Sequence, residues 1–453
     1  MKKFLVFVLA LSLVLTLSGC YKKTGETETE GVVVLAELPD EEISITFWHI
    51  YGQGKSEILD ALIAEFEEMY PNITVESISQ GSYPDLKSKA ISSISAGNTP
   101  DLLVGYPDHF AEYLNGNAII PLDLFINDET WGVDLSDYID SYVAENSQYE
   151  GGVMYSMPYS KSTEMMVYNK TVFDHYGITL SNTEPVTWEQ LETYATQIVG
   201  DGEFQCEYLV NYDSSANLFI NASRQWAGGY TNTTGEVLVE DANTIAMLNY
   251  MSGLFDSKTL ALPLAWDESY GSANFLKGDV CMTVGSTAGI LYNIPLGGNV
   301  GKFGQFEVGI APIPQKEGGV NAVMQQGPNI AIMSDTSDAE RLASWLLIKH
   351  LTSAEATAQW AIDTGYLPVR YSGYDSAEYQ AFLNTTDLDL KYQSLTANAA
   401  YAQVDFFQYD PAFANRVTSS DVRDEAGLCL EAIFAKTKTV QEAIANMIAQ
   451  LVW

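Results

Sequence analysis

Cys20 is the first residue whose surroundings specify a reaction. It ends Leu17-Ser18-Gly19-Cys20, a lipobox pattern. Small residues before the cysteine let a peptidase bind the strand closely, and the thiol is the group that becomes acylated. Lys2 and Lys3 precede an apolar stretch, Phe4 to Leu17, broken only by Ser12 and Thr16. A stretch that short and that close to the N-terminus reads as a signal peptide over 1–19, not as a spanning helix. An ordinary signal peptide with an incidental cysteine is the plainer alternative. Cys206, Cys281 and Cys429 are an odd number, so one disulfide is open to them and its pairing is not specified.

Other chemistries find no constellation. Gly52-Gln53-Gly54-Lys55-Ser56 follows a strand-like run, but a phosphate-binding loop needs a glycine where His49 stands. Val284-Gly285-Ser286-Thr287-Ala288 lacks the first glycine of a nucleophile elbow. His49, His109, His175 and His350 are scattered and form no zinc-binding helix pattern. No metal and no cofactor is expected. Among 59 acidic residues a pair of catalytic carboxylates has no positive motif, and a secreted glycosidase is the enzyme alternative.

These residues need elements to position them. Residues 20–42 are rich in Thr, Glu, Gly and Lys and read as a flexible tether. The 410 or so residues beyond it suggest two or three domains. The net charge of −37 argues against nucleic acid and against a lipid-surface binder; it suits a soluble body free of stray association. Ile43, Ile45 and Phe47 alternate with polar residues as a strand does. Residues 55–70 carry apolar side chains at helical spacing and stop at Pro71. Strands at 73–78 and 101–104 flank a helix at 86–96. Later come helices at 188–198, 242–255 and 338–351 and strands at 280–284 and 308–310. Capping boxes are expected at Thr187/Gln190, Thr352/Glu355 and Thr439/Glu442. Strands alternating with helices imply parallel β-α-β units, an α/β fold.

Six fragments then carry a resemblance over nearly the whole mature body. They are Thr46-Phe47-Trp48-His49, Ser95-Ala96-Gly97-Asn98-Thr99-Pro100-Asp101, Val167-Tyr168-Asn169-Lys170, Val186-Thr187-Trp188, Phe275-Leu276-Lys277-Gly278-Asp279-Val280-Cys281-Met282 and Gly365-Tyr366-Leu367-Pro368. Their order and spacing resemble the family 1 extracellular solute-binding proteins, receptors of ABC importers. The resemblance implies a two-lobe, type II, maltose-binding-protein-like fold with a hinge and a central ligand cleft. It implies a non-catalytic monomer that captures a small molecule and delivers it to membrane permease subunits. The lobes are expected at 43–161 plus 310–352 and at 162–309 plus 353–453.

Within the family the likeness is to the glycerol-3-phosphate-binding branch. By that likeness the ligand residues fall on Tyr83, Ser162, Trp188, Ser286, Gly327, Tyr366 and Arg423. The residue types suit a phosphate: an arginine fork, hydroxyls and a bare backbone amide, with Tyr83 or Trp188 as an apolar wall. Each also has an ordinary reading as a turn cap or a packed aromatic. Where the branch carries a glutamate for the glycerol hydroxyls, this chain has Pro107, and Asp108 is the candidate substitute. Lys161 adds a candidate positive charge, with a solvated surface lysine as its ordinary reading. The expectation is a lipid-anchored receptor for a glycerol phosphate, a glycerophosphodiester or a related polyol ester. A neutral mono- or oligosaccharide receptor and a surface lipoprotein without a small ligand stay open. The tether would average about 25 Å by the flexible-chain estimate.

Overall fold

The computed structural model describes residues 32–295 and 301–451. The signal stretch and Cys20 lie outside the described residues. The first lobe is built on strands β1 (Ile43–His49), β2 (Ile73–Ser79) and β3 (Leu102–Gly105). In β1 every second residue is buried, namely Ile43, Ile45, Phe47 and His49, the period-2 pattern of a strand with one face on a core. β1 lies parallel to both β2 and β3. The intervening helix Gln53–Met69 buries Leu59, Leu62, Ile63 and Phe66, the stripe of an amphipathic helix. Helix Tyr83–Ala96 starts three residues before the expected Leu86. Ser82 and Asp85 form a capping box there, Pro84 sits in its first turn and Gly97 closes it at φ 64°.

The chain leaves through β4 (Met157–Pro158) and enters the second lobe on β5 (Ser162–Asn169). All eight residues of β5 are buried, as a central strand covered on both faces requires. Its sheet also contains β6 (Tyr208–Tyr212), β7 (Leu260–Ala261), β8 (Val280–Ser286), β9 (Val308–Ala311), β10 (Val323–Gln326) and β12 (Phe407–Gln408). The order is β12-β10-β5-β8-β6-β7, with β9 also on β5. β11 (Asn329–Ile332) returns to the first sheet, whose order is β2-β1-β3-β11-β4. Residues 159–161 and 327–328 are therefore strand-to-strand crossings, and Leu367 N–H bonds to Lys161 O beside them.

Four expectations need correcting. The return to the first lobe falls at 327–329 and not at 310, because β9 and β10 both pair with β5. Residues 354–370 stay on the first lobe: Trp360 packs on Tyr51 and Tyr159, and Val369 O accepts the Ile139 N–H. Thr352 caps nothing ahead of it. Its hydroxyl bonds back to Ile348 O, and Ser353 caps helix Ala354–Thr364 instead. Residues 32–42 are no free tether, since Val32, Val34, Leu35 and Leu38 pack on the core, Trp131 Nε1 donates to Leu35 O and Asn72 to Pro39 O.

The boxes at Thr187/Gln190 and Thr439/Glu442 are present. Cys206 and Cys281 form a disulfide joining the loop before β6 to β8, and Cys429 is a buried free thiol. Among the described residues no helix is long and apolar enough to cross a membrane, and no side-chain cluster suits a metal ion.

Candidate functional site

A cavity of about 670 Å3 lies between the lobes against both crossings. Seven of the eight residues expected at a ligand site line it: Tyr83, Asp108, Ser162, Ser286, Gly327, Tyr366 and Arg423. They come from distant parts of the chain and meet because the sheets end there. Ser162 opens β5 opposite Gln326 of β10, Gly327 follows at once, and Ser286 ends β8 opposite Glu164. Arg423 projects from helix Ser419–Phe434, and Tyr83 opens helix Tyr83–Ala96.

Trp188 is the residue the cavity does not include. It is 1% exposed in the second-lobe core, and its Nε1 donates to Gln225 Oε1 at 2.8 Å. As the first helical residue after the Thr187 cap, it points into the core that the helix covers.

The first-lobe wall is aromatic. The rings of Tyr83 and Tyr106 are 4.4 Å apart, and Tyr106 meets His109 edge-on at 5.6 Å. Tyr366 stacks on Trp360 at 6.0 Å, and the Lys55 ammonium lies 4.4 Å from the Tyr366 ring centre. Burial raises the pKa of all three cleft tyrosines, so their hydroxyls stay protonated and able to donate.

Pro107 takes the first helical position of Pro107–Asn115, where its missing N–H costs nothing. The side chain of Asp108 accepts from Ser420 Oγ and lies 4.0 Å from His109 Nε2.

Arg423 is the cation of the second-lobe wall. Its side chain is 32% exposed. Nη1 contacts Asp410 Oδ2 at 3.3 Å and Met324 Sδ at 3.4 Å, and Nη2 bonds to Asn217 Oδ1. A guanidinium has five N–H donors, so these three bonds leave donors free for a ligand. Although burial lowers its pKa, Asp410 and other nearby acids raise it more, and the balance is upward. Beneath it Glu164 is buried and accepts from Tyr212, Asn217 and Asn221.

Lys161 is neither a cleft cation nor a solvated lysine. It is 0% exposed and donates to Glu145 Oε2 at 2.5 Å, Gly327 O at 3.0 Å and Asn329 Oδ1 at 3.2 Å. Gly327 is held at φ 94°, and a Cβ there would meet Ser160 O at 2.0 Å. The crossing itself therefore requires the glycine.

Sequence reasoning passed over Tyr106, His109, Asp410 and Asp424, which also line the cavity. Tyr106 carried a readable signal, an aromatic at a strand end before a helix-opening proline. Asp410 carried none, because only the tertiary fold brings it to Arg423; Asp424 adjoins Arg423 in sequence, but an acid in an acid-rich helix has no distinguishing mark.

The comparisons agree with this geometry. Residues 61–386 match the family described as bacterial extracellular solute-binding protein. The sn-glycerol-3-phosphate-binding periplasmic protein UgpB of Shigella dysenteriae serotype 1 is 25% identical over 354 residues, covering 75% of this chain and 77% of that protein. UgpB of Escherichia coli K12 is 24% identical over 352 residues, with the same coverage of 75% and 77%.

Among solved structures, UgpB of Mycobacterium tuberculosis in complex with glycerophosphocholine superposes with a TM-score of 0.72 at 21% identity, covering 90% of this chain and 97% of that one. The cyclic α-maltosyl-1,6-maltose binding protein of Arthrobacter globiformis gives 0.73 at 19% identity, covering 90% and 97%. Maltose-bound MalE3 of T. maritima gives 0.68 at 22% identity, covering 90% and 99%. With two lobes, a cleft at their crossings and a family match over most of its length, this chain belongs to the bacterial extracellular solute-binding proteins, the non-catalytic substrate-binding components of ABC importers.

Proposed function

We propose that the cleft captures a phosphorylated polyol, a glycerol phosphate or glycerophosphodiester, and hands it to the permease. The observation that carries this reading is Arg423. Its guanidinium opens into the cleft with donors to spare, on the wall that also bears Ser162, Ser286 and the Gly327 backbone. Such a set offers a phosphate a charge-assisted fork plus neutral donors. Tyr83, Tyr106 and Tyr366 supply faces for the C–H side of the ligand. Surface acidity is no obstacle, since charges on the outer shell are screened beyond about 8 Å at physiological salt.

A second reading has its own observation. Asp108, Asp410 and Asp424 line the same cleft, and carboxylates beside aromatic faces suit the hydroxyls and C–H faces of a neutral sugar. A thermal-shift panel of glycerol-3-phosphate, glycerophosphocholine, maltose and maltotriose separates the two. Stabilisation by the phosphorylated ligands alone supports the first, and stabilisation by the sugars alone replaces it with the second.

The anchor is proposed at Cys20, on the extracytoplasmic face of the membrane. Incorporation of labelled palmitate, lost in Cys20→Ser, is the expected result; equal labelling of both proteins would reject it.

A further inference from the structure

Three hydrogen bonds join the lobes across the rim of the cleft, and all converge on one segment of the second lobe, residues 409–420. Asn115 Nδ2, at the end of helix Pro107–Asn115, donates to Ala414 O at 2.5 Å. The Ala412 N–H donates to Gln148 Oε1 at 2.6 Å. Ser420 Oγ donates to the Asp108 carboxylate. The first-lobe partners are the two ends of helix Pro107–Asn115 together with Gln148, and their counterparts lie within nine residues of one another.

The segment is an arm fixed to its own lobe. Arg224 Nη2 donates to Tyr409 O at 2.7 Å and to Asp410 Oδ1 at 3.0 Å. Ser419 Oγ accepts from Phe413 N at 2.8 Å and donates to Phe413 O at 3.0 Å, which closes the loop on itself. Phe413 is buried, with its ring 3.1 Å from where a Cβ on Gly235 would stand. Asn415 Nδ2 donates to Thr234 O at 3.3 Å. The same arm carries Asp410, which bonds Arg423 at 3.3 Å.

We propose that residues 409–420 are the latch of the cleft, and that Asp108, Asn115 and Gln148 are positioning residues for ligand capture. They hold the arm across the cleft, and the arm, through Asp410, sets the direction of the Arg423 guanidinium. Asp108 is thereby a closure contact and not the substitute for the glutamate that Pro107 replaces. The claim about Arg423 rests on the ligand reading above; the claim about the latch does not.

The two are tested separately. In full-length mature protein, Asn115→Cys with Ala414→Cys is treated with a short bis-maleimide, with and without glycerol-3-phosphate, glycerophosphocholine or maltose. Cross-linking between the introduced thiols in native protein, abolished in urea, is the expected result. No native cross-link with or without any of these probes overturns the latch.

Asn115→Ala with Gln148→Ala, neither of which lines the cleft, is then followed by stopped flow with whichever probe the wild type binds. Release about tenfold faster with association nearly unchanged is expected, as two ordinary hydrogen bonds made only in the closed state would give. An unchanged release rate overturns the positioning role. Failure of the wild type to bind either phosphorylated probe sinks the ligand reading alone, and the cross-link still decides the latch.

Discussion

The ammonium of Lys161 lies 2.5 Å from the carboxylate of Glu145, with the two side chains 0% and 5% exposed, at the point where the crossings between the lobes meet. Lys161 also donates to Gly327 O on the other crossing, and Glu145 lines the cleft. One buried ion pair thus ties both crossings to the floor of the site. Removing one partner of such a pair leaves an uncompensated charge, which typically costs about 3–5 kcal/mol. Lys161→Met should lose that much in urea unfolding, and adding Glu145→Leu should restore most of it. A loss under about 1 kcal/mol in the single variant would contradict a desolvated pair.

Glu164 gives the fold a pH signature. Burial pushes its carboxyl up to about 7, against the opposing pull of its bonds from Tyr212 and Asn217 and of nearby Arg423. The folded value lies above the unfolded one, near 4.5. Its stabilising contribution is therefore fully present below the unfolded value and is lost as pH rises through about 7. Glu164→Gln removes this dependence. Measured by denaturation, its stability relative to wild type should rise by on the order of 2–3 kcal/mol from pH 5 to pH 7.5. A difference that stays flat over that range would show an ordinary carboxylate.

The Cys206–Cys281 disulfide spans 75 residues of sequence. A loop of that length should lose about 4 kcal/mol of stability on opening, by the chain-entropy estimate. Cys281→Ser should therefore lower the unfolding midpoint, while ligand affinity at 25 °C stays close to wild type because neither sulfur lines the cleft. Burial pushes the thiol of Cys429, the free cysteine among the described residues, up to about 12, so its alkylation in native protein at pH 8 should be slow. Rapid native labelling of Cys429 would contradict its burial.

Trp188→Phe separates packing from recognition. The change leaves Gln225 Oε1 without its donor, which costs about 1–3 kcal/mol of stability beyond the lost volume. Ligand affinity should hold within twofold by calorimetry. A tenfold loss of affinity at unchanged stability would return Trp188 to the site.

Much of this was legible in the sequence, and the misses have physical causes. Helix Asp338–Leu351 and β1 follow from periodicity, and the Thr187 cap from its Gln190 partner three residues on. Seven of the eight positions implied by the family resemblance line the cleft, and no local pattern would have named them without it. Trp188 misled because a capping-position aromatic looks the same whether it faces ligand or core. Lys161 misled because lysine is ordinarily solvated, and its carboxylate lies sixteen residues back in sequence. The lobe boundaries shifted because β9 carries a strand signal and β10 was not read as a strand, and nothing local states which sheet either joins. The arm at 409–420 was invisible for the same reason: its bonds to Asp108, Asn115 and Gln148 span about 260 to 310 residues of sequence.

Arg423 is proposed to hold an anionic ligand. Titration calorimetry of wild type and Arg423→Gln with glycerophosphocholine and with maltose tests it most directly, at low and at physiological salt. Expected are tight binding of glycerophosphocholine by wild type, about a hundredfold loss in Arg423→Gln as a charged hydrogen-bonded fork is removed, and no heat with maltose. Binding of maltose alone, or equal affinity of both proteins for the phosphodiester, would contradict it.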